Sequence, residues 1–465
     1  MGKNICLIKI IIALATTEPT FAETTYLTND VSNWEVKTFN KCILDTTKVN
    51  ELRKKGADEN LIWQALEEAK AKYYDCFYMN RKEITFNNKE VSVFHSANKY
   101  STDLFGKIIK DKQFKDKNVI FSPTSMQFAL AMAANGTDDN NTYDEITTAL
   151  GNRSMPLDEL NEMYKKRLYN LQNVNNTDIK IGIANALFLK KGEPFGKVFL
   201  DNINQYYKAT SNNVDFSNDS TYTKIDEWAK RTTDGMIPSL GITPNRDRDR
   251  KLILTNALCF HSDWEQQFDR KKTKSGKFTT STGKKMKVTK MNGYVKYGGY
   301  AETSNYQLTG LKLYEDYKMI VILPKEGVSI ESVLTEIDLD NIQYKEPEPG
   351  YIYCTKLSIP KFSTDMKFKL KEICVSNGLE SLFKQNFNNI AKEAVIQSID
   401  QCTHLEIDED GVKASAITNL DVVGYGIPKL ITVEMDVNRP FIITIQNEEE
   451  HEILFIGLIN DPTAK

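Results

Sequence analysis

The sequence predicts an α+β fold with large β-sheets, because its helical and strand-like segments are segregated along the chain. Helical spacing of apolar residues dominates the early part, whereas the last third consists mostly of short strand-like runs. The 465 residues are 40% hydrophobic and 26% charged, which is typical of a folded soluble protein with a sizeable core. This length allows one large domain and a further segment.

The amino terminus is predicted to be a signal peptide that covers residues 1–22. An apolar run from Ile5 to Ala15 is interrupted only by Lys9, and Thr20 and Ala22 supply the small residues that a signal peptidase requires. No later run reaches the roughly 20 apolar residues of a membrane span, so we expect no membrane partner. We therefore expect a secreted glycoprotein. Its candidate glycosylation sequons begin at Asn135, Asn140, Asn152, Asn175 and Asn218.

Residues 23–90 differ from the rest and are predicted to form a helical N-terminal extension. A short helix is expected before Gly56, and a second helix starting at Asp58 carries one apolar stripe. Cys42 and Cys76 are the best disulfide candidates, since removal of the signal peptide leaves six cysteines in an oxidising compartment. The extension is interpreted as a packed appendage, with a partner-binding module as the alternative. The stripe comprises Ile62, Leu66, Ala69, Tyr73 and Cys76.

From residue 91 to the end, the predicted helices gather early and most of the predicted strands come late. A short strand at NVIF leads into an apolar helix, and KLILTNALCF begins like a buried central strand. Two lysine-rich stretches, RKKTKSGKF and GKKMK, are interpreted as solvated loops. Further helices are predicted at 96–111, 142–151, 157–172, 201–210 and 222–235, and further strands at 181–191, 306–314, 317–324, 351–362, 403–410, 441–447 and 452–459.

No motif for catalysis, phosphate binding or metal binding is found. GxSxG, GxxxxGK[ST], HExxH and GxGxxG are absent, so we expect neither an enzyme nor a cofactor. The histidines at 95, 261, 404 and 451 are far apart in sequence and lack ligand spacing, which predicts no metal site. A net charge of −3 argues against a nucleic-acid partner. The basic segment 165–167 could bind a polyanion.

The stretch EIDEDGVKASAITNLDVVGYGIPK, residues 406–429, fits neither a core strand nor a helix. A strand-like start runs into Gly411, after which small and hydroxyl-bearing residues follow. Small side chains bury little area, so this run is poor core material. Tyr425 stands between two glycines and is expected to be exposed. The segment therefore requires an explanation other than core packing.

Four longer stretches resemble one family, the serpins. They are NVIFSPTSMQFALAMAANGT, IDEWAKRTTDGMIPSL, LTNALCFHSDWEQQFDRKKT and VNRPFIITIQNEEEHEILFIGLINDP. Their order is that of the family, and the resemblance extends from about residue 91 to the end, whereas residues 23–90 have no counterpart. It implies the serpin fold, which has a large central mixed β-sheet, further sheets, about eight or nine helices and an exposed reactive loop near the carboxy terminus.

The resemblance also implies a suicide mechanism of protease inhibition. A protease attacks the reactive loop, and the cut loop then inserts as a new strand into the main sheet, which releases strain stored in the native fold. Glu409, Asp410 and Gly411 match the family's hinge. Alternate residues of a strand share one face, so Lys413, Ser415 and Ile417 would point outward. The face to be buried is small or β-branched and comprises Val412, Ala414, Ala416 and Thr418.

Loop length then selects the bond to be cut. In inhibitory members the residue before the cut lies fourteen positions after the hinge glycine, and here 425 − 411 = 14, which selects Tyr425–Gly426. An aromatic residue suits the apolar pocket of chymotrypsin-like proteases, so a target protease of that class is favoured. Lys429 for trypsin-like proteases, and Leu420 for elastase-like or cysteine proteases, remain alternatives that the loop length disfavours.

Sheet opening depends in this family on a polar cluster, the shutter, and on the point of first insertion, the breach. The resemblance assigns Ser122, Ser125 and Asn256 to the shutter, and Trp264 to the breach. Gln401 stands where the family usually has a histidine, and its amide can donate and accept similar hydrogen bonds.

The resemblance leaves two functional hypotheses open. One is a secreted, monomeric inhibitor, and the other is a non-inhibitory carrier, storage protein or chaperone. Non-inhibitory members tend to have bulky, charged or proline residues in the inserting strand. Residues 412–418 contain no proline and a single charge, which favours inhibition.

Overall fold

The computed structural model describes the chain between Asp45 and Ala464, with gaps. It divides into two compact units, Met1–Ile84 and Thr85–Lys465. The residues that lie outside the description are 1–44, 46, 59–60, 63, 67, 70, 73–75, 77–83, 177, 233–234, 236–237, 243, 245–249, 398, 412–428 and 465.

The smaller unit contains the predicted short helix, α1 (Thr47–Lys54). Gly56 follows it with φ +65°, the left-handed conformation that commonly ends a helix. Cys76 is disulfide-bonded. Cys259, Cys354, Cys374 and Cys402 are not disulfide-bonded, and Cys42 lies outside the described residues, so the pairing of Cys76 with Cys42 stays a prediction. The predicted signal peptide, residues 1–22, lies outside the described residues.

Most helices of the larger unit precede its long strands. Asn87 begins the first of them, because its side chain accepts from the N–H of Glu90 while the Glu90 carboxylate accepts from the Asn87 N–H. The predicted boundary of the extension at residue 90 therefore falls inside the first turn of this helix. None of the described helices has the length and apolar character needed to cross a membrane. The helices are α2 (Asn88–Lys110), α3 (Pro123–Ala134), α4 (Asn140–Ala149), α5 (Leu157–Asn173), α6 (Lys197–Tyr207), α7 (Ser220–Thr232), α8 (Ile330–Glu336) and α9 (Lys371–Ser376), with 3-10 turns at Arg270–Lys272 and Ser381–Phe383.

The strands of the larger unit form several sheets, which confirms the predicted α+β class. They are β1 (Val119–Phe121), β2 (Ile179–Lys190), β3 (Thr210–Val214), β4 (Leu252–Ser262), β5 (Lys274–Thr279), β6 (Lys285–Lys296), β7 (Tyr300–Glu302), β8 (Tyr306–Lys312), β9 (Tyr317–Pro324), β10 (Tyr351–Pro360), β11 (Phe362–Lys369), β12 (Asp400–Ile407), β13 (Lys429–Asp436), β14 (Phe441–Asn447) and β15 (Glu452–Ile459).

The largest sheet is antiparallel, with the order β1-β15-β14-β9-β8-β7. Every residue of β14 and β15 is buried, as the continuous apolar runs in the sequence predict. The apolar helix α3 packs against β15 and is itself almost wholly buried. This sheet and α3 supply much of the hydrophobic core, and other elements pack against it.

A second sheet has the order β13-β10-β6-β5 and corrects one prediction. The lysine-rich stretches interpreted as loops form β5 and β6, where Lys277 lies directly opposite Lys287. Their lysines alternate with buried residues such as Phe278 and Val288. Only one face of this hairpin is buried, so the other face can carry many lysines. Their charge hides the alternation of buried and exposed residues that is typical of a strand.

Two surface predictions from the sequence are wrong. The basic segment 165–167 is not available to a polyanion, since Arg167 is 2% exposed and donates to both carboxylate oxygens of Glu452 at 2.7 and 3.0 Å. Lys165 is also buried, and Lys166 pairs with Glu90 at 2.6 Å. Asn135 is also not available for glycosylation, because its side-chain amide is buried and donates to Asn161 at 2.9 Å. The sequon asparagines 140, 175 and 218 are exposed, and Asn152 is half-buried.

Candidate functional site

Two small sheets meet at the candidate site without pairing. β2 pairs with β3 and β4, which leaves β4 at the edge of a three-stranded sheet, and among the described residues β12 pairs only with β11. β4 and β12 approach each other, but no ladder of described residues joins them. Unpaired edges present rows of N–H and C=O groups that can accept another strand. We call this place the β4–β12 gap.

The predicted hinge lies against a tryptophan that follows the end of β4. Trp264 stands two residues after β4, is 4% exposed and donates from Nε1 to the carbonyl of Asp408 at 3.0 Å. Gly411, with φ +32°, approaches the indole so closely that a Cβ added there would lie 2.2 Å from a ring atom. The chain leaving β12 is therefore held at the end of β4, beside the gap.

Ionic contacts secure the two acidic hinge residues. Asp410 pairs with Arg270, whose Nε lies 3.2 Å from Oδ1, and its carbonyl accepts from Gln267 at 3.2 Å. Glu409 is buried, accepts from the Thr273 hydroxyl at 2.6 Å and pairs with Lys361. Apart from Lys361, these partners come from the segment that connects β4 to β5, so one short segment fixes the whole hinge.

We expect Gly411→Ala to lower the free energy of unfolding by about 2–4 kcal/mol, from left-handed backbone strain and from overpacking against Trp264. Gly283→Ala is the matched control, because Gly283 also has a positive φ of +80° but open space where its Cβ would lie. Urea unfolding of both variants measures the difference. Equal losses of stability would show that the contact with Trp264 contributes nothing.

The charge of Glu409 is stabilised in the folded protein. Burial alone would raise its pKa, but the hydrogen bonds from Lys361 and Thr273 outweigh that effect, and the pKa lies below its ordinary value of 4.5. A carboxyl group with a lowered folded pKa stabilises the fold above its ordinary pKa, and this contribution is lost as the pH falls through the folded value. The hinge contacts should therefore weaken only in acid.

The variant Glu409→Gln tests this pH dependence. At neutral pH we expect it to cost about 1–3 kcal/mol, because hydrogen bonds to charged groups contribute on that order. Thermal unfolding should show a constant difference from the wild type above about pH 5 and a shrinking difference below about pH 4. Glu434→Gln, which removes an exposed pair with Lys356, is the control and should change little. A difference that persists unchanged in acid would contradict the assignment.

Part of the predicted shutter is assembled around Gln401. Its amide oxygen accepts from the Ser122 N–H at 2.8 Å, and its amide nitrogen donates to the Ser122 carbonyl at 3.0 Å. The Ser122 hydroxyl in turn accepts from the Ser125 N–H at 3.2 Å and caps α3. A single amide side chain thus joins the start of β12 to the core helix, which requires both a donor and an acceptor.

Asn256, which the resemblance assigns to the shutter, forms its hydrogen bond within the β2–β4 ladder. It lies opposite Asn185 in the β2–β4 ladder and donates to the Asn185 amide oxygen at 2.8 Å. Its own amide oxygen is buried and accepts no hydrogen bond from the described residues. It is therefore an unsatisfied acceptor on the edge strand of the gap.

The reactive-loop predictions fall mostly outside the described residues. Val412, Ala414, Ala416, Thr418, Leu420, Tyr425 and Gly426 all lie in 412–428. The alternative cut site Lys429 is described, and it is the first residue of β13, paired with Tyr351 of β10. Its N–H donates to the Gly350 carbonyl at 2.8 Å. A residue fixed in a ladder in this way is poorly placed for a protease, which disfavours Lys429 further.

Several residues of this site escaped the sequence analysis. Gln267 was assigned only to a resemblance motif, and Arg270 and Thr273 also to a lysine-rich stretch interpreted as a loop. Lys361 interrupts a predicted strand at the β10–β11 junction. Their hinge partners are more than 40 residues away, so no local spacing links them. The sequence showed only the charges that these contacts join, namely two acidic residues before a glycine and several basic residues elsewhere.

Comparison with known proteins identifies similar sequences and structures. A model of the family described as Serpin (serine protease inhibitor) matches residues 95–462. An uncharacterized serpin-like protein of Methanosarcina mazei is 27% identical over 83% of this chain and 91% of its own length. Human Serpin I2 is 26% identical over 79% of this chain and 91% of its own length. The crystal structure of the thermophilic serpin Tengpin in the native state is 28% identical, with a TM-score of 0.69, and covers 82% of this chain and 96% of that chain.

Proposed function

The chain belongs to the serpin family, and from this premise we propose that it is a secreted inhibitor of chymotrypsin-like serine proteases that acts as a suicide substrate. The observation that carries the proposal is the β4–β12 gap with the hinge held beside it. Two unpaired edges and a hinge at their end are what a loop needs in order to become a strand. No catalytic role of the chain's own residues is proposed.

The first step is ordinary protease chemistry on the loop. The protease serine attacks the carbonyl carbon of Tyr425, the Tyr425–Gly426 peptide bond breaks, and an ester joins Tyr425 to the serine oxygen. The serine proton passes through the protease histidine to the new amino group of Gly426. The cut loop is then tethered to the inhibitor only through the hinge at Gly411.

The second step is insertion of the cut strand into the β4–β12 gap. Backbone groups of the strand complete ladders on both edges, and a net gain of about 0.5–1.5 kcal/mol per hydrogen bond makes the whole strand strongly favourable. Fourteen residues at ~3.3 Å each span roughly 46 Å, which carries the attached protease far from the hinge. Distortion of its active site then prevents hydrolysis of the ester.

The residues of the loop fit the requirements of insertion. Val412, Ala414, Ala416 and Thr418 share one face of a strand, and small or β-branched residues on that face can pack onto the core beneath the gap. The edge strand β4 carries a buried amide oxygen, that of Asn256, which accepts no hydrogen bond from the described residues. Ile417 is bulkier than the family prefers at its position, but it lies on the outward face.

The proposal is tested by mixing the purified protein with chymotrypsin and analysing the mixture on a denaturing gel. We expect a complex that survives boiling in detergent and a released carboxy-terminal fragment whose sequence starts at Gly426. Trypsin and elastase, tested in parallel, examine the alternatives at Lys429 and Leu420. Cleavage without a stable complex, and without a rise in thermal stability, would overturn the proposal and favour a carrier, storage or chaperone role.

A further inference from the structure

Two histidines that are far apart in sequence meet at one carboxylate. The Nδ1 atoms of His95, on α2, and His451, in the β14–β15 turn, lie 2.8 and 2.9 Å from the same oxygen of Asp340. One candidate ligand atom from each residue lies within 4.8 Å of the others. Sequence separations of 245 and 111 residues from Asp340 hide this cluster, so the lack of local ligand spacing, on which the prediction of no metal site rested, could not reveal it.

Further hydrogen bonds fix the position of the Asp340 carboxylate. Asn98, which is buried, donates to its second oxygen at 2.8 Å and also to the backbone carbonyl of His451 at 2.8 Å. The Asn98 oxygen accepts from Gln127 at 3.2 Å, so the supporting amide is itself fixed. Outer hydrogen bonds of this kind orient the ligands of metal sites.

A further carboxylate and the backbone of the turn support a ligand role. Asp338 lies 3.7 Å from the other ring nitrogen of His95, where a metal-bound histidine usually donates its remaining N–H. His451 has φ +52°, a conformation that is uncommon outside glycine and that costs free energy. Retention of a histidine at such a position is consistent with a role for its side chain.

The charge of the cluster also suits a cation. The Asp340 carboxylate supplies an anionic oxygen ligand, and its contacts with His451, His95 and Asn98 fix its orientation. Imidazole rings bind metal ions in their neutral form, through a ring nitrogen that carries no proton. Two imidazoles and a carboxylate form the N₂O donor set that zinc accepts with an open fourth position.

We propose that His95, His451 and Asp340 bind a zinc ion. Zinc bonds of about 2.0–2.1 Å place tetrahedral ligand atoms about 3.3 Å apart, so the two histidine nitrogens must each withdraw from Asp340 by roughly 0.5 Å. They must also approach each other, because the ligand atoms of the cluster are up to 4.8 Å apart. Both rings have room to do so, because their side chains are 39% and 25% exposed, whereas Asp340 is buried. Zinc takes the place of the ring protons at Nδ1, and the proton of each neutral ring moves to Nε2.

The ion would join three segments that the sequence keeps apart. They are the second turn of α2, the chain that follows α8, and the turn between β14 and β15. The site is separate from the β4–β12 gap and from the hinge, so zinc is expected to raise thermal stability without being required for inhibition. A failure of zinc binding and a failure of the proposed inhibition are therefore distinguishable.

The test is zinc titration of the full-length protein, prepared without a polyhistidine tag and stripped with a chelator. At neutral pH we expect one zinc per chain, with two imidazole ligands visible in the X-ray absorption spectrum. His95→Gln and His451→Gln, which keep a hydrogen bond to Asp340, should each weaken binding at least about 10–100-fold. Zinc should raise the thermal midpoint of the wild type and leave that of His451→Gln unchanged.

The matched control is His404→Gln. His404 also lies against a carboxylate, with Nδ1 2.7 Å from Asp365, but within the described part of the chain it belongs to no cluster of three possible metal ligands. This variant should bind zinc as the wild type does. Absence of stoichiometric binding at millimolar zinc, or equal affinity in all three variants, would overturn the proposal, and thermal unfolding without zinc checks that each variant is folded.

Discussion

Ala414→Arg is expected to convert the protein from an inhibitor of chymotrypsin into a substrate. Under the proposed mechanism Ala414 would face the core once the strand enters the β4–β12 gap, and an unpaired arginine there would lose its hydration. Insertion then becomes slower than hydrolysis of the acyl-enzyme. Each 1.4 kcal/mol of added barrier changes the ratio of cleaved product to stable complex about tenfold, so we expect a rise of at least tenfold.

The control for this prediction is the neighbouring residue on the opposite face. Ser415→Arg adds the same side chain one position later, where it points outward after insertion. It should leave the ratio of cleaved product to complex within about threefold of the wild type. Denaturing gels over a range of chymotrypsin concentrations measure both ratios. Equal effects of the two substitutions would contradict the assigned faces, and with them the insertion geometry.

Tyr425→Ala is expected to reduce the association rate with chymotrypsin by at least about 100-fold. The substitution removes the aromatic ring that would fill the primary pocket of the protease, and pocket contacts of this size discriminate by two orders of magnitude or more. Insertion itself should not be impaired, since the proposed mechanism puts Tyr425 at the end of the inserting strand. Progress curves of chymotrypsin activity in the presence of each variant give the rate constants.

Two further substitutions separate the candidate cut sites. Tyr425→Phe keeps the ring and should retain most of the rate. Leu420→Ala should have little effect on the reaction with chymotrypsin. If Leu420→Ala abolishes inhibition while Tyr425→Ala does not, then the reactive bond lies earlier in the loop and the length argument from Gly411 is wrong.

The elements that were predicted best are those whose pattern is local and strong. The runs FIITIQN and EILFIGLI correspond to β14 and β15 residue for residue, because both strands are buried on both faces. The start of α2 was placed too late, although the spacing of Asn87 and Glu90 is a capping-box signal that the sequence does contain. The strand predicted at 351–362 is two strands that separate at Lys361.

The contacts that make the site were less accessible from the sequence. The hinge and the loop were identified through the resemblance, whereas the partners of Glu409 and Asp410 come from residues 267–273 and from Lys361, more than 40 positions away. The pairing of Gln401 with Ser122 joins residues 279 positions apart. Such contacts depend on which strands become neighbours, and no periodicity within one segment encodes that choice.

The most direct test of the mechanism is backbone amide hydrogen exchange before and after the loop is cut. The cleaved protein and the covalent complex can both be isolated from a mixture with chymotrypsin. We predict that amides of β4 and β12 become strongly protected in both, as a new strand completes their ladders, while β14 and β15 remain protected throughout as internal controls. Unchanged exchange in β4 and β12 after cleavage would show that the loop does not enter the gap.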